Sequence, residues 1–122
     1  SAEMIGKTVV DGYPTRMPMT RNMRIQSAAR EMSTSFGGME DFYNLDSSGT
    51  SAFSRVLELL PELEQISAVG AALKSAGGDP KKVTVDTLRA AKQGSRTAYI
   101  KIRRKTRQLF DSIPHPLENH RQ

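Results

Sequence analysis

Positively charged side chains are the residues of this sequence whose type and spacing could do chemistry. Ten of them lie between positions 81 and 107, and only Asp86 opposes them. They are Lys81, Lys82, Arg89, Lys92, Arg96, Lys101, Arg103, Arg104, Lys105 and Arg107. Arginine can donate two parallel hydrogen bonds to a carboxylate or a phosphate. This density of charge therefore indicates recognition of an acidic partner rather than a reaction.

The charge of the chain is divided between two segments of opposite sign. The formal net charge is +5, but residues 1–80 sum to −3 and residues 81–122 sum to +8. An acidic stretch over residues 31–64 contains seven carboxylates and a single base, Arg55. Three interpretations of this stretch stay open: it docks near the basic segment and partly neutralises it, it is ordinary surface, or it orients a dipolar module on its partner.

Groups that could catalyse a reaction have no recognisable context in this sequence. Both histidines, His115 and His120, lie in a proline-containing tail, where a positioned general base is not expected. No serine or threonine has the context of a known nucleophile, and the run at 77–82 lacks the ending of a phosphate-binding loop. With no cysteine and no metal-ligand spacing, we expect no enzymatic activity, no cofactor and no metal site.

The pattern of apolar residues and helix breakers predicts an all-α fold. Residues 1–18 are expected to form an irregular arm or linker, and residues 114–122 a flexible tail, because glycine, proline and polar residues recur there. Over residues 19–113 we expect a small bundle of four to five short helices that forms the interaction domain. No apolar run reaches the length of a membrane span, so no membrane contact is expected.

Capping residues predict where several helices begin and end. Thr20 is a suitable N-cap for the first helix, and the glycine pair at 37–38 should end it. Pro61 should open a new helix, because the N–H that proline lacks is unpaired in a first turn anyway. The glycine pair at 77–78 should stop that helix.

The last helix is expected to run from Thr84 to about Ile113, with Gly94 as a place where it could divide or bend. On a helical wheel its arginines follow one stripe, about a quarter turn from an apolar stripe that should face the core. The arginine stripe comprises Arg89, Arg96, Arg103 and Arg107 with Ile100 among them, and the core stripe comprises Leu88, Ala91, Tyr99, Ile102, Leu109 and Ile113, completed by Ser95 and Thr106. Like charges at these spacings repel, so the face indicates binding more than solubility.

Two classes of acidic partner stay open from the residues alone. Nucleic-acid phosphates suit a row of arginines, but few aromatic or amide side chains lie among them to stack on bases or to read base edges. An acidic protein loop suits bidentate arginines and also the apolar Ile100 within the row.

A Gly-Gly-Asp turn at 77–79 is followed by the basic pair at 81–82 and, late in the basic helix, by the run Ile-Arg-Arg-Lys at 102–105. In this order the motifs resemble the C-terminal domain of rhabdovirus phosphoproteins, notably of the vesiculovirus type. The matching stretch, residues 76–109, is about a quarter of the chain. The chain departs from that family in its longer region before the turn, its lack of tryptophan, and its longer final helix and tail.

The resemblance implies a non-enzymatic module that binds nucleoprotein–RNA through a basic surface and, through the full-length protein, tethers the viral polymerase to its template. It also implies a location at replication sites in the host cytoplasm, with the virion as a second place. The expected nucleoprotein contacts are Lys81 or Lys82, Arg103, Arg104 and Lys105 from the family motif, and Arg89, Lys92, Arg96 and Arg107 from the helical wheel. The alternative is a small helical accessory domain that binds nucleic acid directly.

Overall fold

A computed structural model describes residues 7–10, 13–16, 19–35, 37–84, 86–88 and 92–114. Two short strands come first: β1 (Lys7–Val10) pairs antiparallel with β2 (Tyr13–Arg16). Within the described ranges five α-helices follow: α1 (Arg21–Ser33), α2 (Met39–Tyr43), α3 (Ala52–Leu59), α4 (Ser67–Ser75) and α5 (Lys92–Asp111).

The helices form the small bundle that the sequence predicts, and the all-α fold class is confirmed. α5 packs against α1 and α4, α1 also packs against α3, and α2 contacts both α3 and α5. The two strands differ from the irregular arm predicted over residues 1–18. Three β-branched residues in a row in β1 favour extended backbone, and the hairpin pairs that backbone with β2. The remainder of the predicted arm, and residues 115–122 of the predicted tail, lie outside the described residues.

The predicted start of α1 and the predicted end of α4 are confirmed by their capping bonds. The Thr20 hydroxyl accepts a hydrogen bond from the Met23 backbone N–H at 3.2 Å. At the end of α4 the Gly78 N–H donates to the Leu73 carbonyl at 2.8 Å. Gly77 and Gly78 have φ angles of 70° and 87°, a left-handed conformation that glycine adopts without steric cost.

The segment after Pro61 differs from the single helix that the sequence predicts. Pro61 does open a helix, but it is a 3₁₀ helix (Pro61–Gln65), and α4 begins only after an extended residue, Ile66. Leu63 and Val69 are both fully buried. Six residues apart, they would lie about 120° from each other on one continuous α-helix. The break at Ile66 allows both side chains to reach the core.

The prediction that the last helix begins at Thr84 is wrong. Residues 86–88 form a turn, in which the Thr84 N–H donates to the Thr87 hydroxyl at 2.8 Å and the Thr87 N–H donates to the Thr84 hydroxyl at 3.3 Å. Leu88 is buried as predicted, but it reaches the core from this turn. As described, α5 runs from Lys92 to Asp111 and includes Gly94.

The predicted core face of the last helix is present in α5. Fully buried positions recur at the spacing of three to four residues that one helix face requires. They are Ser95, Ala98, Ile102 and Thr106, while Tyr99, Leu109 and Ile113 are half-buried against the same core. Ala98 was not among the predicted core residues, and Ala91 lies outside the described residues.

A cluster of aromatic rings holds α2, α3 and α5 together. The Phe42 ring centroid lies 5.2 Å from that of Tyr43 and 5.8 Å from that of Phe53. It also lies 5.3 Å from the Tyr99 ring of α5. The buried Tyr43 hydroxyl donates a hydrogen bond to the Ser95 carbonyl at 2.6 Å, and burial raises the pKa of Tyr43 above its ordinary value. Such ring pairs stabilise beyond the area that they bury.

Arg55 joins α1, α3 and the loop between α2 and α3. Its Nε lies 2.9 Å from Glu31 Oε2, and its Nη1 lies 2.6 Å from Asp46 Oδ2. The Ser48 hydroxyl, followed by the backbone N–H groups of Thr50 and Ser48 and by Arg55, donates to Asp46 and lowers its pKa to about 2. The folded loop therefore favours the ionised carboxylate of Asp46.

Truncation of Ile102 should destabilise the protein, whereas the same truncation at Ile100 should not. Ile102 is fully buried and Ile100 is 39% exposed on the same helix. Ile102→Ala should lower the free energy of unfolding by about 2–5 kcal/mol, because it removes buried surface and leaves a cavity. Ile100→Ala should change it by about 0.5 kcal/mol or less. Urea unfolding followed by circular dichroism measures both, and equal effects would show that the assigned core face of α5 is out of phase.

Acid should remove the contribution of Asp46 to stability. The folded state lowers the Asp46 pKa from 3.8 to about 2. The resulting stabilisation is therefore present above about pH 4 and is lost as the pH falls from 4 towards 2. Asp46→Asn should be less stable than the unaltered protein at pH 6, and the two should converge near pH 2. Urea unfolding midpoints across this range test the prediction, and a difference that does not vary with pH would contradict it.

Candidate functional site

The basic side chains of α5 lie on its solvent side. The exposed ones are Arg96, Lys101, Arg103, Arg104, Lys105 and Arg107. Of the other predicted site residues, Lys81 and Lys82 are exposed in a 3₁₀ helix (Pro80–Lys82) before α5. Arg89 and the side chain of Lys92 lie outside the described part of the chain.

The basic residues of α5 do not share one surface. Arg103, Arg104 and Arg107 line an open groove between α1 and the C-terminal half of α5. Lys101 and Lys105 each lie two residues from Arg103, and therefore about 160° around the helix from it. Neither lysine lines the groove. The structure thus separates Lys105 from the arginines with which the sequence analysis grouped it.

The groove has a volume of about 1560 Å³ and a floor that is partly apolar. Ala29 and Met32 of α1 form one wall, and Ile100 and Phe110 of α5 form part of the other. Ile100 is 39% exposed and Phe110 is 42% exposed, although both are large apolar side chains. Pockets for small molecules usually measure about 300–1000 Å³, so this groove has the size and openness of a binding site for a chain segment.

The rim of the groove is predominantly positive. Arg30 of α1 lines it together with the three arginines of α5. Asp111 also lines it, and its Oδ2 lies 3.4 Å from Arg107 Nε, but both side chains are well exposed. An exposed pair of this kind contributes little to stability and is readily exchanged for another partner.

Tyr99 positions Arg103 at the edge of the groove. The Arg103 guanidinium carbon lies 5.6 Å from the centroid of the Tyr99 ring, and Nη1 donates a long hydrogen bond of 3.4 Å to the Tyr99 hydroxyl. A cation over an aromatic face is attracted by the electron density of the ring. Because the same ring packs on Phe42 in the core, Arg103 is a groove arginine in direct contact with the core aromatic cluster.

Neither of the predicted contacts Lys81 and Lys82 lines the arginine groove. Lys81 lines a small hollow of about 240 Å³, together with Glu58 and Glu64 of the acidic stretch and Asp79. These carboxylates offset its charge locally. The structure therefore does not bring Lys81 to the arginine groove.

Described ion pairs of the acidic stretch do not involve α5. Glu31 and Asp46 pair with Arg55, and Glu62 pairs with Arg21 of α1 at 3.7 Å. These pairs lie within the first half of the chain, whereas Glu58 and Glu64 line the same hollow as Lys81 of the basic segment.

The predicted site residues include neither the groove residues of α1 nor Phe110. Arg30 and Met32 are about seventy residues away from α5 in sequence, so no local pattern connects them to it. Phe110 was detectable, because it follows Arg103 by seven residues and so lies within about 20° of it on a helical wheel. A large apolar residue within an arginine stripe is a signal for a protein-binding surface.

One buried polar group on the lining of the groove has no partner. Thr106 is 1% exposed, and its hydroxyl makes no hydrogen bond to the described protein. A threonine within a helix often donates to the carbonyl four residues earlier, but Thr106 does not. The hydroxyl is therefore desolvated without compensation.

The described residues contain neither a metal cluster nor a membrane-spanning helix. No group of three or more His, Cys, Asp or Glu side chains there is arranged to hold a metal ion. No helix there combines the length and the apolar character that a membrane crossing requires.

Comparisons of the chain with protein-family models, with curated proteins and with solved structures gave no match. The resemblance to rhabdovirus phosphoproteins therefore rests on its own short motifs.

Replacement of Thr106 by valine should stabilise the protein. Valine has nearly the same shape and lacks the buried hydroxyl, so Thr106→Val should raise the free energy of unfolding by about 1 kcal/mol. Thr106→Ser retains the hydroxyl and loses a buried methyl group, so it should not stabilise. Thermal unfolding of both variants measures the difference. A lower melting temperature for Thr106→Val would show that the hydroxyl does have a partner in solution.

Proposed function

We propose that this chain is a non-enzymatic docking module whose α5 arginines bind an acidic partner, and that this partner is a viral nucleoprotein in complex with RNA. The observation that carries the proposal is the exposure of Arg103, Arg104 and Arg107 on one side of α5, beside apolar surface. The identity of the partner and the tethering of a viral polymerase follow from the resemblance alone, as do the host cytoplasm and the virion as locations.

Two apolar side chains support a protein partner over naked nucleic acid. Ile100 and Phe110 are exposed next to the arginines. Protein interfaces are enriched in aromatic side chains and arginine at their centres, whereas a phosphate backbone gains nothing from an exposed isoleucine. Of the aromatic rings beside the arginines, Tyr99 already contacts Phe42 and Arg103, which leaves Phe110 as the ring on which a base could stack. An acidic surface of a protein therefore suits this face better.

The predicted contact residues contribute unequally under this proposal. Arg103, Arg104 and Arg107 make direct contacts with carboxylates, because they share the groove side of α5. Arg96 lies seven residues before Arg103, on nearly the same side and about 10 Å along the axis, and extends the contact. Lys81, Lys82 and Lys105 do not line the groove and act at most through long-range attraction of the partner.

Reversing charge on the groove side should abolish binding, whereas the same reversal on the other side should not. Arg103→Glu with Arg107→Glu and Lys101→Glu with Lys105→Glu alter the net charge equally on one helix. The arginine double variant should bind rhabdovirus nucleoprotein–RNA at least tenfold more weakly, and the lysine double variant should stay within about threefold of the unaltered protein. Fluorescence anisotropy at physiological salt measures both, and circular dichroism verifies that both fold.

Naked RNA of the same length is the comparison that separates the alternatives. Tighter binding to naked RNA, with an affinity that falls steeply with salt concentration, would instead support the nucleic-acid-binding domain, because several counterions are then released. Equal losses in the two double variants would show that only the overall charge matters. No binding to nucleoprotein–RNA would reject the proposed partner.

A further inference from the structure

We infer that the groove between α1 and α5 receives one large apolar side chain from an acidic segment of the partner protein, and that the arginines at its rim pair with carboxylates on either side of that anchor. This inference rests on the proposed function and deepens it. It names the chemistry of the segment and extends the binding surface to α1.

The apolar part of the groove is the first argument. Ala29 and Met32 face it from α1, and Ile100, Phe110 and Ile113 face it from α5 and the residues after it. Two large apolar side chains of α5 stay more than a third exposed at this one place. An inserted apolar side chain would remove this surface from water, which charge pairing at the rim does not do.

Size is the second argument. An open cavity of about 1560 Å³ is larger than a typical small-molecule pocket, and its walls come from two helices, α1 and α5, rather than from one loop. Recognition of a short segment in a groove between helices depends on one or a few apolar anchors. The volume accommodates the anchor together with the backbone on either side of it.

Charge complementarity specifies the rest of the occupant. Arg30 stands on the α1 side of the groove, and Arg103, Arg104 and Arg107 stand on the α5 side, with Asp111 as the carboxylate that also lines it. An occupant with carboxylates before and after its anchor would meet arginines from both helices. The end segments of the chain itself do not match this charge. Residues 115–122 contain one glutamate and one arginine, and residues 1–18 contain two acidic and two basic residues.

A pair of synthetic peptides tests the anchor directly. The first is a fluorescein-labelled segment of aspartate, glutamate and serine with one central phenylalanine, and the second replaces that phenylalanine with alanine at equal charge. We expect the phenylalanine peptide to bind the full chain at least tenfold more tightly. In heteronuclear NMR spectra its addition should shift the backbone amides of residues 26–33 in α1 as well as those of residues 99–113.

A matched pair of surface variants tests the groove. Phe110→Ala removes an apolar side chain that is 42% exposed in the groove, and Leu45→Ala removes one that is 47% exposed elsewhere. We expect Phe110→Ala to weaken binding of the phenylalanine peptide at least tenfold and Leu45→Ala to leave it unchanged. Neither variant should change the affinity for the alanine peptide, since that peptide has no anchor.

The outcomes separate failure of this inference from failure of the proposed function. If both peptides bind equally while Arg103→Glu with Arg107→Glu still abolishes binding to nucleoprotein–RNA, docking by charge stands and the anchor is rejected. If neither peptide binds and the arginine double variant binds nucleoprotein–RNA normally, both are rejected. If Phe110→Ala converts a dimer into a monomer in sedimentation experiments, the occupant is a second copy. If Leu117→Ser, a change in the C-terminal tail, raises peptide affinity tenfold, the occupant of the groove is the chain's own tail. Each of these last two results would overturn the inference.

Discussion

The ring cluster of Phe42, Tyr43, Phe53 and Tyr99 is the contact on which the position of α5 depends. The chain has no tryptophan and only seven aromatic residues. These four rings therefore supply much of the surface that large side chains bury in the core. The hydrogen bond from the Tyr43 hydroxyl to the Ser95 carbonyl adds a directional constraint at the first turns of the helix. A buried hydroxyl and a buried carbonyl would each be costly without a partner, so the bond fixes α5 in place and in rotation.

The rotation of α5 determines which of its charged residues can act together. The Tyr99 ring packs against the Phe42 ring, and the Arg103 guanidinium lies over the same Tyr99 ring. Once that ring is fixed, Arg103, Arg104 and Arg107 must lie towards α1, and Lys101 and Lys105 must lie away from it. The core and the basic groove are therefore consequences of one packing arrangement. A change in the ring cluster would alter the groove even though no groove arginine had changed.

Charge in this protein is separated rather than cancelled. Arg55 pairs with Glu31 and Asp46, and Arg21 pairs with Glu62, all within the first half of the chain. The arginines of α5 repel one another at helical spacing and receive one exposed carboxylate, Asp111, in the described groove. Local features that oppose stability are expected where a surface serves binding, and an acidic partner would relieve this repulsion.

The sequence by itself determined the local features: the Thr20 cap, the glycine stop at 77–78, the buried face that includes Ile102 and Thr106, and the exposure of the α5 arginines. These follow from neighbouring residues, because caps, glycine turns and helical periodicity act within a few positions. Tertiary structure decided the rest. Thr84 bonds to Thr87 in a turn over residues 86–88, and Leu88 reaches the core from that turn. The groove requires Arg30 and Met32 to meet Phe110 from distant positions, and only the packing of α1 against α5 brings them together.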